Sequence, residues 1–482
     1  LPYLLFSFWL IGLPVGDSTL HNISSSFQPV TTLTEVSFVE ILPQVEDGIL
    51  IIPLGSLIVL VISLFNVSLD LLTPLFVSTF SILTEPMALF KRRNMVQMAA
   101  SKLRNLKDLK VIAITGSYGK TTTKELLFQI LSNKFITAKT PENHNTDVGI
   151  AQAITNFVNE DTEIFIAEMG AYKKGEIMKS TKVAPPDISI VTGVEGQHLS
   201  IFGTIENVFE AKYEIIQGMK DDGLAILNGN NEYAVRMAER TDKEKIMYYS
   251  INEELDLMTA TSEEDDEEEK VSFPKNANIY AKDIIFGKKG LEFTLVLKGT
   301  EYSIKTNIPG LHNASNLLAA IAVGLRLGIQ PNELVEIINE TNFDVPYLKT
   351  VVGINESKII DDGYNVSPTG FLSGLLMLSK QTVKGKHWVL TQGLIELGTD
   401  REKVYKRLAK ELVKKADGLI TSDEDLHAGV LQADSSFNSI LVDTPYKLKN
   451  AYIEHVHSGD LVLIEGSLPG VVLSAIKTTK DE

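Results

Sequence analysis

The sequence predicts an α/β protein with a central P-loop nucleotide-binding domain, a second doubly wound, Rossmann-like domain after it, and transmembrane helices before it. Three observations carry this. Residues 111–125 run from an apolar, β-branched stretch into two glycines, a lysine and three threonines, which is the order of strand, phosphate loop and helix. Beyond about residue 342, apolar strand-like segments alternate with helical ones. Residues 49–67 carry no charge over nineteen positions, about the length a bilayer core requires. The domains expected are therefore 1–95 (hydrophobic, transmembrane), 96–341 (central, ATP-binding) and 342–482 (C-terminal).

Composition narrows the function classes. At 482 residues and 44% hydrophobic, the chain can fill the cores of about three units. A formal charge of -17 leaves no broad basic face to neutralise a phosphate backbone, which excludes a nucleic-acid partner, although a nucleotide needs only a local site. The absence of cysteine excludes disulfides, thiolate metal sites and cysteine nucleophiles.

Taken in order, residues 3–14 are apolar but too few to cross a membrane, and residues 49–67 read as a transmembrane helix. Residues 68–83 are apolar except for Asp70; a second short span, a re-entrant piece and an interfacial helix all remain open for them. Lys91, Arg92, Arg93, Lys102, Arg104, Lys107 and Lys110 follow, and the positive-inside rule places that flank and everything after it in the cytoplasm, at the inner face of a plasma membrane.

In the phosphate loop, Gly116, Ser117, Tyr118 and Gly119 present backbone N–H groups to anionic oxygens. Lys120 reaches the β- and γ-phosphates of ATP, Thr121 offers its hydroxyl to Mg²⁺, and the helix beginning near Thr122 adds its positive end. Only two residues separate the glycines, and Ile114 stands where the usual pattern has its first glycine. Glu168 ends the next strand, 163–168, at the edge where ligands bind in open α/β sheets, so it is a candidate Mg²⁺ ligand. His198 follows the strand 187–192 in the same way.

From this point the chain resembles the Mur ligases, most closely their branch that joins D-alanyl-D-alanine to a UDP-muramoyl tripeptide. The resemblance rests on the short Thr115-Gly-x-x-Gly-Lys-Thr121 loop, Glu168-Met-Gly-Ala, His198-Leu-Ser-Ile-Phe-Gly203, Ala211-Lys-Tyr-Glu214, Leu227-Asn-Gly-Asn-Asn231, Pro309-Gly-Leu-His-Asn-Ala-Ser-Asn316 and Asp361-Asp-Gly-Tyr-Asn-Val-Ser-Pro368, in that order. Together they cover about residues 105–470. The resemblance implies that Lys120 and Thr121 grip phosphates and one Mg²⁺, that Glu168 and His198 serve the metals, and that Lys212 is a carbamylated lysine whose added carboxylate joins them. It also implies that Asn313 and Asn316 open a helix touching the adenine, that Asp361 meets the ribose, and that the last domain closes over ATP and brings the amino-acid substrate.

The implied activity is ATP-dependent amide ligation between a UDP-muramoyl-peptide-like acceptor and a dipeptide or amino acid. A polyglutamate-type ligase and a membrane-anchored nucleotide-binding protein without ligase activity stand as alternatives. Three departures from the family pattern bear on the choice. The arginine expected near Pro346-Tyr347 is missing, with Lys349 close by. Leu390-Thr-Gln-Gly-Leu-Ile-Glu-Leu-Gly398 lacks the acidic residue usual before its Glu-Leu-Gly, and apolar segments replace the UDP-sugar domain. Residues 253–270, rich in Glu and Asp, read as a solvated loop, and 277–308 as an antiparallel hairpin or small sheet.

Overall fold

In the computed structural model the described residues are 44–46, 49–51, 54–196, 199–251, 279–287, 290–310, 312–345, 349–363, 367–394 and 401–478. The expectations for residues 3–14 and 253–270 lie outside them. The chain divides into two compact units, Leu1–Arg92 and Arg93–Glu482.

In the first unit, β1 (Gln44–Glu46) and β2 (Ile49–Ile51) pair antiparallel. Residues 49–51 are thus strand, and helix α1 (Leu54–Asn105) begins just after Pro53. This corrects the expected helix over 49–67 and its separation from 68–83, because α1 runs on without a break through Asp70, Pro74 and Pro86. Proline removes one helical N–H. Beside Pro74 the Thr73 hydroxyl donates to Leu69 O at 2.7 Å, so the polar side chain is satisfied within the helix itself. Apolar residues point outward all round α1, Leu71 being 74% exposed. Among the described residues, α1 is the one helix long and apolar enough to cross a membrane, judged by length and composition.

The second unit holds two sheets. The first has nine strands: β3 (Lys110–Thr115), β4 (Thr137–Lys139), β5 (Ile164–Glu168), β6 (Ile188–Val191), β7 (Leu224–Asn228), β8 (Ile246–Ile251), β9 (Ile279–Gly287), β10 (Gly290–Leu297) and β11 (Thr300–Lys305), in the order β11-β10-β9-β8-β7-β6-β3-β5-β4. All neighbours from β4 to β9 are parallel. Parallel strands are covered on both faces, which explains the unbroken apolar run of β3. Ile112 and Ile114 pack with helices α2 (Lys120–Leu131) and α8 (Asn313–Arg326) on one face. Val111 and Ala113 face helix α3 (Asp147–Phe157) and the end of α1, where Ala99 and Leu103 are buried. Lys102 ties that end down by donating to Ile154 O at 3.1 Å and Thr155 O at 3.3 Å, the last carbonyls of α3. Four helices lie between α3 and α8: α4 (Glu176–Val183), α5 (Leu199–Phe202), α6 (Ile205–Gln217) and α7 (Glu232–Glu239).

The hairpin expected over 277–308 is present, turning through Lys298 and Gly299, both with positive φ. It is no separate sheet, because β9 pairs with β8 and extends the main one. After α9 (Pro331–Glu340) comes the second sheet: β12 (Lys349–Val352), β13 (Lys358–Asp362), β14 (His387–Thr391), β15 (Gly418–Thr421), β16 (Asn438–Leu441) and β17 (Leu461–Glu465), ordered β12-β13-β17-β14-β15-β16. All pairs but β12–β13 are parallel. Helices α10 (Pro368–Lys380), α11 (Arg401–Lys415) and α12 (Glu424–Ala433) cover one face, while α13 (Leu448–His455) and α14 (Gly470–Ile476) cover the other. The second domain is doubly wound, as its alternating pattern predicts.

Candidate active site

The loop between β3 and α2 is shaped by its two glycines. Gly116 has φ 153° and Gly119 φ 70°, values that L-residues with a side chain avoid. A Cβ at Gly119 would lie 2.4 Å from Asn316 Oδ1, and one at Gly116 1.9 Å from Thr192 Oγ1, so both positions exclude a side chain. Ser117 N donates to Gly193 O at 2.8 Å, tying the loop to the end of β6. Tyr118 packs beside Gly193, and burial, with Glu195 as the next cause, pushes its phenol well above the usual range. α2 begins at Lys120, two residues earlier than the sequence predicts, so Lys120, Thr121 and Thr122 form its first turn. Lys120 Nζ donates to Gly116 O at 2.8 Å, and loss of water draws its pKa down against the pull of Glu168.

Glu168 is the hub. At the end of β5, it accepts from Thr121 Oγ1 at 3.2 Å (Oε1) and 3.0 Å (Oε2), while its backbone N–H donates to Thr140 Oγ1 at 3.0 Å. Lys124, one turn beyond Lys120 and fully buried, pairs with Glu168 Oε2 at 3.1 Å. Lys212 lies in the middle of α6, is 5% exposed, and feels both Lys120 and Glu168. Burial and then the Lys120 charge draw its amine down to about 7, with Glu168 opposing. Among the described residues Lys212 has no hydrogen-bond or ion-pair partner. The amines of Lys120, Lys124 and Lys212 thus gather around Glu168, with Glu125 3.8 Å from Lys124. Such a cluster of amines, beside the glycine loop and a helix N-terminus, suits a polyphosphate, although the Ser117 N–H, expected to face phosphate, is taken by Gly193 O.

Asn316 and Asn313 reach this cluster from the start of α8. Thr123 Oγ1 donates to Asn316 Oδ1 at 3.2 Å, Asn316 Nδ2 donates to Asn313 Oδ1 at 2.8 Å, and Asn313 Nδ2 donates to Pro309 O at 2.6 Å. Beside them, His312 Nδ1 is buried without a partner among the described residues, and burial draws the ring down to about 4, so it is neutral at physiological pH.

The structure therefore gathers Gly116, Ser117, Tyr118, Gly119, Lys120, Thr121, Thr122, Glu168, Lys212, Asn313 and Asn316 around one sheet edge. His198 lies outside the described residues, as do Pro346 and Tyr347. Asp361 is on the second sheet, ion-paired with Lys477 and accepting from Gly363 N at 3.1 Å. Sequence reading missed Lys124, whose i+4 spacing from Lys120 puts it on the same helix face. It also missed two buried acids, Asp362 and Glu465, which end the adjacent parallel strands β13 and β17. Asp362 is raised to about 7 by burial and by Asp361; Glu465 is raised well above its usual range by burial and by Asp362.

The donor set fits a magnesium nucleotide in part. Thr121 and Glu168 stand side by side, and among the described residues Glu168 Oε1 accepts a hydrogen bond from the Thr121 hydroxyl alone. Lys212 fits a second cation only if its charge is removed or reversed, because an ammonium beside a divalent ion is repelled by several kcal/mol, by a rough Coulomb estimate. No group of three or more His, Asp or Glu side chains is gathered for a metal among the described residues.

Comparison with known proteins agrees with this geometry. Residues 114–324 match the family model of the Mur ligase middle domain. A UDP-N-acetylmuramoyl-tripeptide--D-alanyl-D-alanine ligase of Bacillus subtilis is 28% identical over 381 residues, 77% of this chain and 76% of that protein. The ligase of the same name from Escherichia coli is 25% identical, over 68% of each chain. In fold, the chain is similar to crystal structures of MurF from Acinetobacter baumannii (TM-score 0.65, 24% identity, 78% of this chain and 77% of that one). It is likewise similar to that of MurF from Thermotoga maritima in complex with ADP (TM-score 0.62, 24% identity, 80% and 82%). The phosphate loop, its carboxylate, the buried lysine and the paired-asparagine helix all lie within residues 114–324, the stretch that matches the Mur ligase middle domain.

Proposed function

We propose that this chain is an ATP-dependent, ADP-forming ligase that joins the amine of a D-alanyl-D-alanine dipeptide to the carboxylate of a UDP-muramoyl tripeptide. The observation that carries the reading is the convergence of the phosphate loop, the Thr121–Glu168 pair and Lys212 at one sheet edge. The substrates follow from the names of the relatives in Bacillus subtilis and Escherichia coli.

In this reading the loop amides and Lys120 hold the triphosphate, and Lys120 offsets charge as the γ-phosphoryl group moves to the acceptor carboxylate. Thr121 and Glu168 would hold Mg²⁺, which supplies further charge neutralisation on the phosphates. Lys124 keeps one Glu168 oxygen fixed. The incoming amine then attacks the acyl carbon and phosphate leaves, carrying one former carboxylate oxygen. Positioning the two carriers in line is most of what the protein contributes. Steady-state ADP release tests this: it requires both the muramoyl tripeptide and the dipeptide, and ADP release unchanged by omitting either would overturn it.

We infer further that α1 anchors the enzyme in a membrane, with the ligase domains on the cytoplasmic side. Supporting this are its length, the outward apolar side chains, and Lys91, Arg92 and Arg93 at the end of the apolar part. The chain is expected to stay with membranes through carbonate extraction, whereas one shortened to begin near residue 95 is soluble. Release of the full chain by carbonate would contradict the anchor.

A further inference from the structure

Ser117 is held from two sides by Glu195. Its Oγ accepts from Glu195 N at 3.0 Å and donates to Glu195 O at 3.1 Å. Glu195 lies beyond β6, and its side chain leaves the first sheet altogether. Thr369, the second residue of α10, donates its hydroxyl to Glu195 Oε1 across a sequence separation of 174 residues. α10 is a well-made terminus, with Ser367 Oγ accepting from Gly370 N at 3.0 Å and Pro368 in the first position, so its positive end is fixed. A carboxylate at that end is favoured, and Arg407 on α11 adds a second favourable charge. The other oxygen, Oε2, is shut off from water and has no partner among the described residues.

We propose that Glu195 is a positioning residue that braces the phosphate loop against helix α10, so that the loop's shape and its nucleotide affinity depend on contact between the two sheets. The inference rests on the ligase reading for its nucleotide, but the brace itself is a property of the chain. Ser117, Glu195 and Thr369 make a continuous line of hydrogen bonds from loop to helix. Neither end can shift without stretching it. No other described carboxylate faces Glu195; Tyr118 on the loop, Thr369 on α10 and Arg407 on α11 are the polar and charged groups set against it.

The contact also carries a pH dependence of known sign. Burial raises the Glu195 carboxyl to about 7, against the opposing effects of Thr369 and Arg407. A group whose pKa is raised on joining binds its proton more tightly in the joined state. The brace is therefore strongest below the carboxyl's ordinary pKa of 4.5 and weakens as pH rises through about 7, above which it levels off.

The test uses the full chain without nucleotide first. Hydrogen exchange of the peptide spanning 113–123 is expected to quicken severalfold in Glu195→Ala and also in Thr369→Val, a change on the other sheet, and to stay near wild type in Glu195→Gln. Wild-type exchange in that peptide for Thr369→Val, with only α10 loosened, would overturn the brace. Affinity for a non-hydrolysable ATP analogue is then expected to fall about tenfold more between pH 6 and 8.5 in wild type than in Glu195→Gln, the slope due to Lys212 being common to both. Equal slopes in the two would also overturn it. A wild-type chain that binds no analogue sinks the ligase reading instead, and the exchange result still decides the brace.

Discussion

Lys120→Ala removes ATP turnover, by about 10²–10³-fold or more, while the melting temperature stays within a few degrees of wild type. The size of the loss follows from what Lys120 touches. Its ammonium bonds only loop carbonyls, Gly116 O at 2.8 Å and Ser117 O at 3.5 Å, and is half-buried at the head of α2. It packs no core. Its charge matters where phosphate charge develops, and partial burial has already removed some of the water that would otherwise compete. Lys120→Arg retains the charge but not the compact ammonium, and recovers only part of the activity. Steady-state ADP release with circular dichroism as the fold control checks this. Turnover within a few-fold of wild type in a folded Lys120→Ala chain would remove the loop from the mechanism.

Lys212→Ala has the second large effect, a loss of at least about a hundredfold. A lysine that is 5% exposed in mid-helix, facing Lys120 and with no partner among the described residues, is unfavourable as an ammonium. Its amine, drawn down to about 7, is substantially neutral near physiological pH, the form that adds CO₂. As a carbamate it would turn one positive charge into a negative one beside Thr121 and Glu168, where cations are needed. The expectation is that formate or acetate restores part of the activity of Lys212→Ala, whose side chain leaves room for them. Lys212→Met keeps the stem, fills that room and is not restored. Full activity in Lys212→Ala without added acid would show instead that Lys212 is only a buried structural residue.

Much of this site is legible in the sequence because its signals are local. Val111 to Lys120 reads as strand, loop and helix because the buried strand is apolar on both faces and the glycines stand at positions that need positive φ. The alternation after residue 342 is legible for the same reason, although the exposed edge strand β16, with no buried residue, leaves too little pattern to find. The rest depends on pairing over distance. Nothing local tells β9 to join β8, and nothing near Asp362 reveals that Glu465 is its neighbour in register. Thr369 stands 174 residues from Glu195. The separation expected between 49–67 and 68–83 is likewise absent, because α1 continues through Asp70, Pro74 and Pro86. Lys124 was within reach, since its spacing from Lys120 is helical, but its burial follows only from how α2 lies against β5.

The proposed ligase mechanism activates a carboxylate by phosphoryl transfer before the amine attacks. It is tested most directly by supplying UDP-muramoyl tripeptide labelled with ¹⁸O in its terminal carboxylate, together with ATP and D-alanyl-D-alanine, and reading the mass of the phosphate released. One ¹⁸O atom is expected in each phosphate formed, because the oxygen that attacks the γ-phosphorus leaves with it. Unlabelled phosphate, formed while ATP is consumed, would mean that water and not the carboxylate takes the phosphoryl group, and would contradict the ligase mechanism.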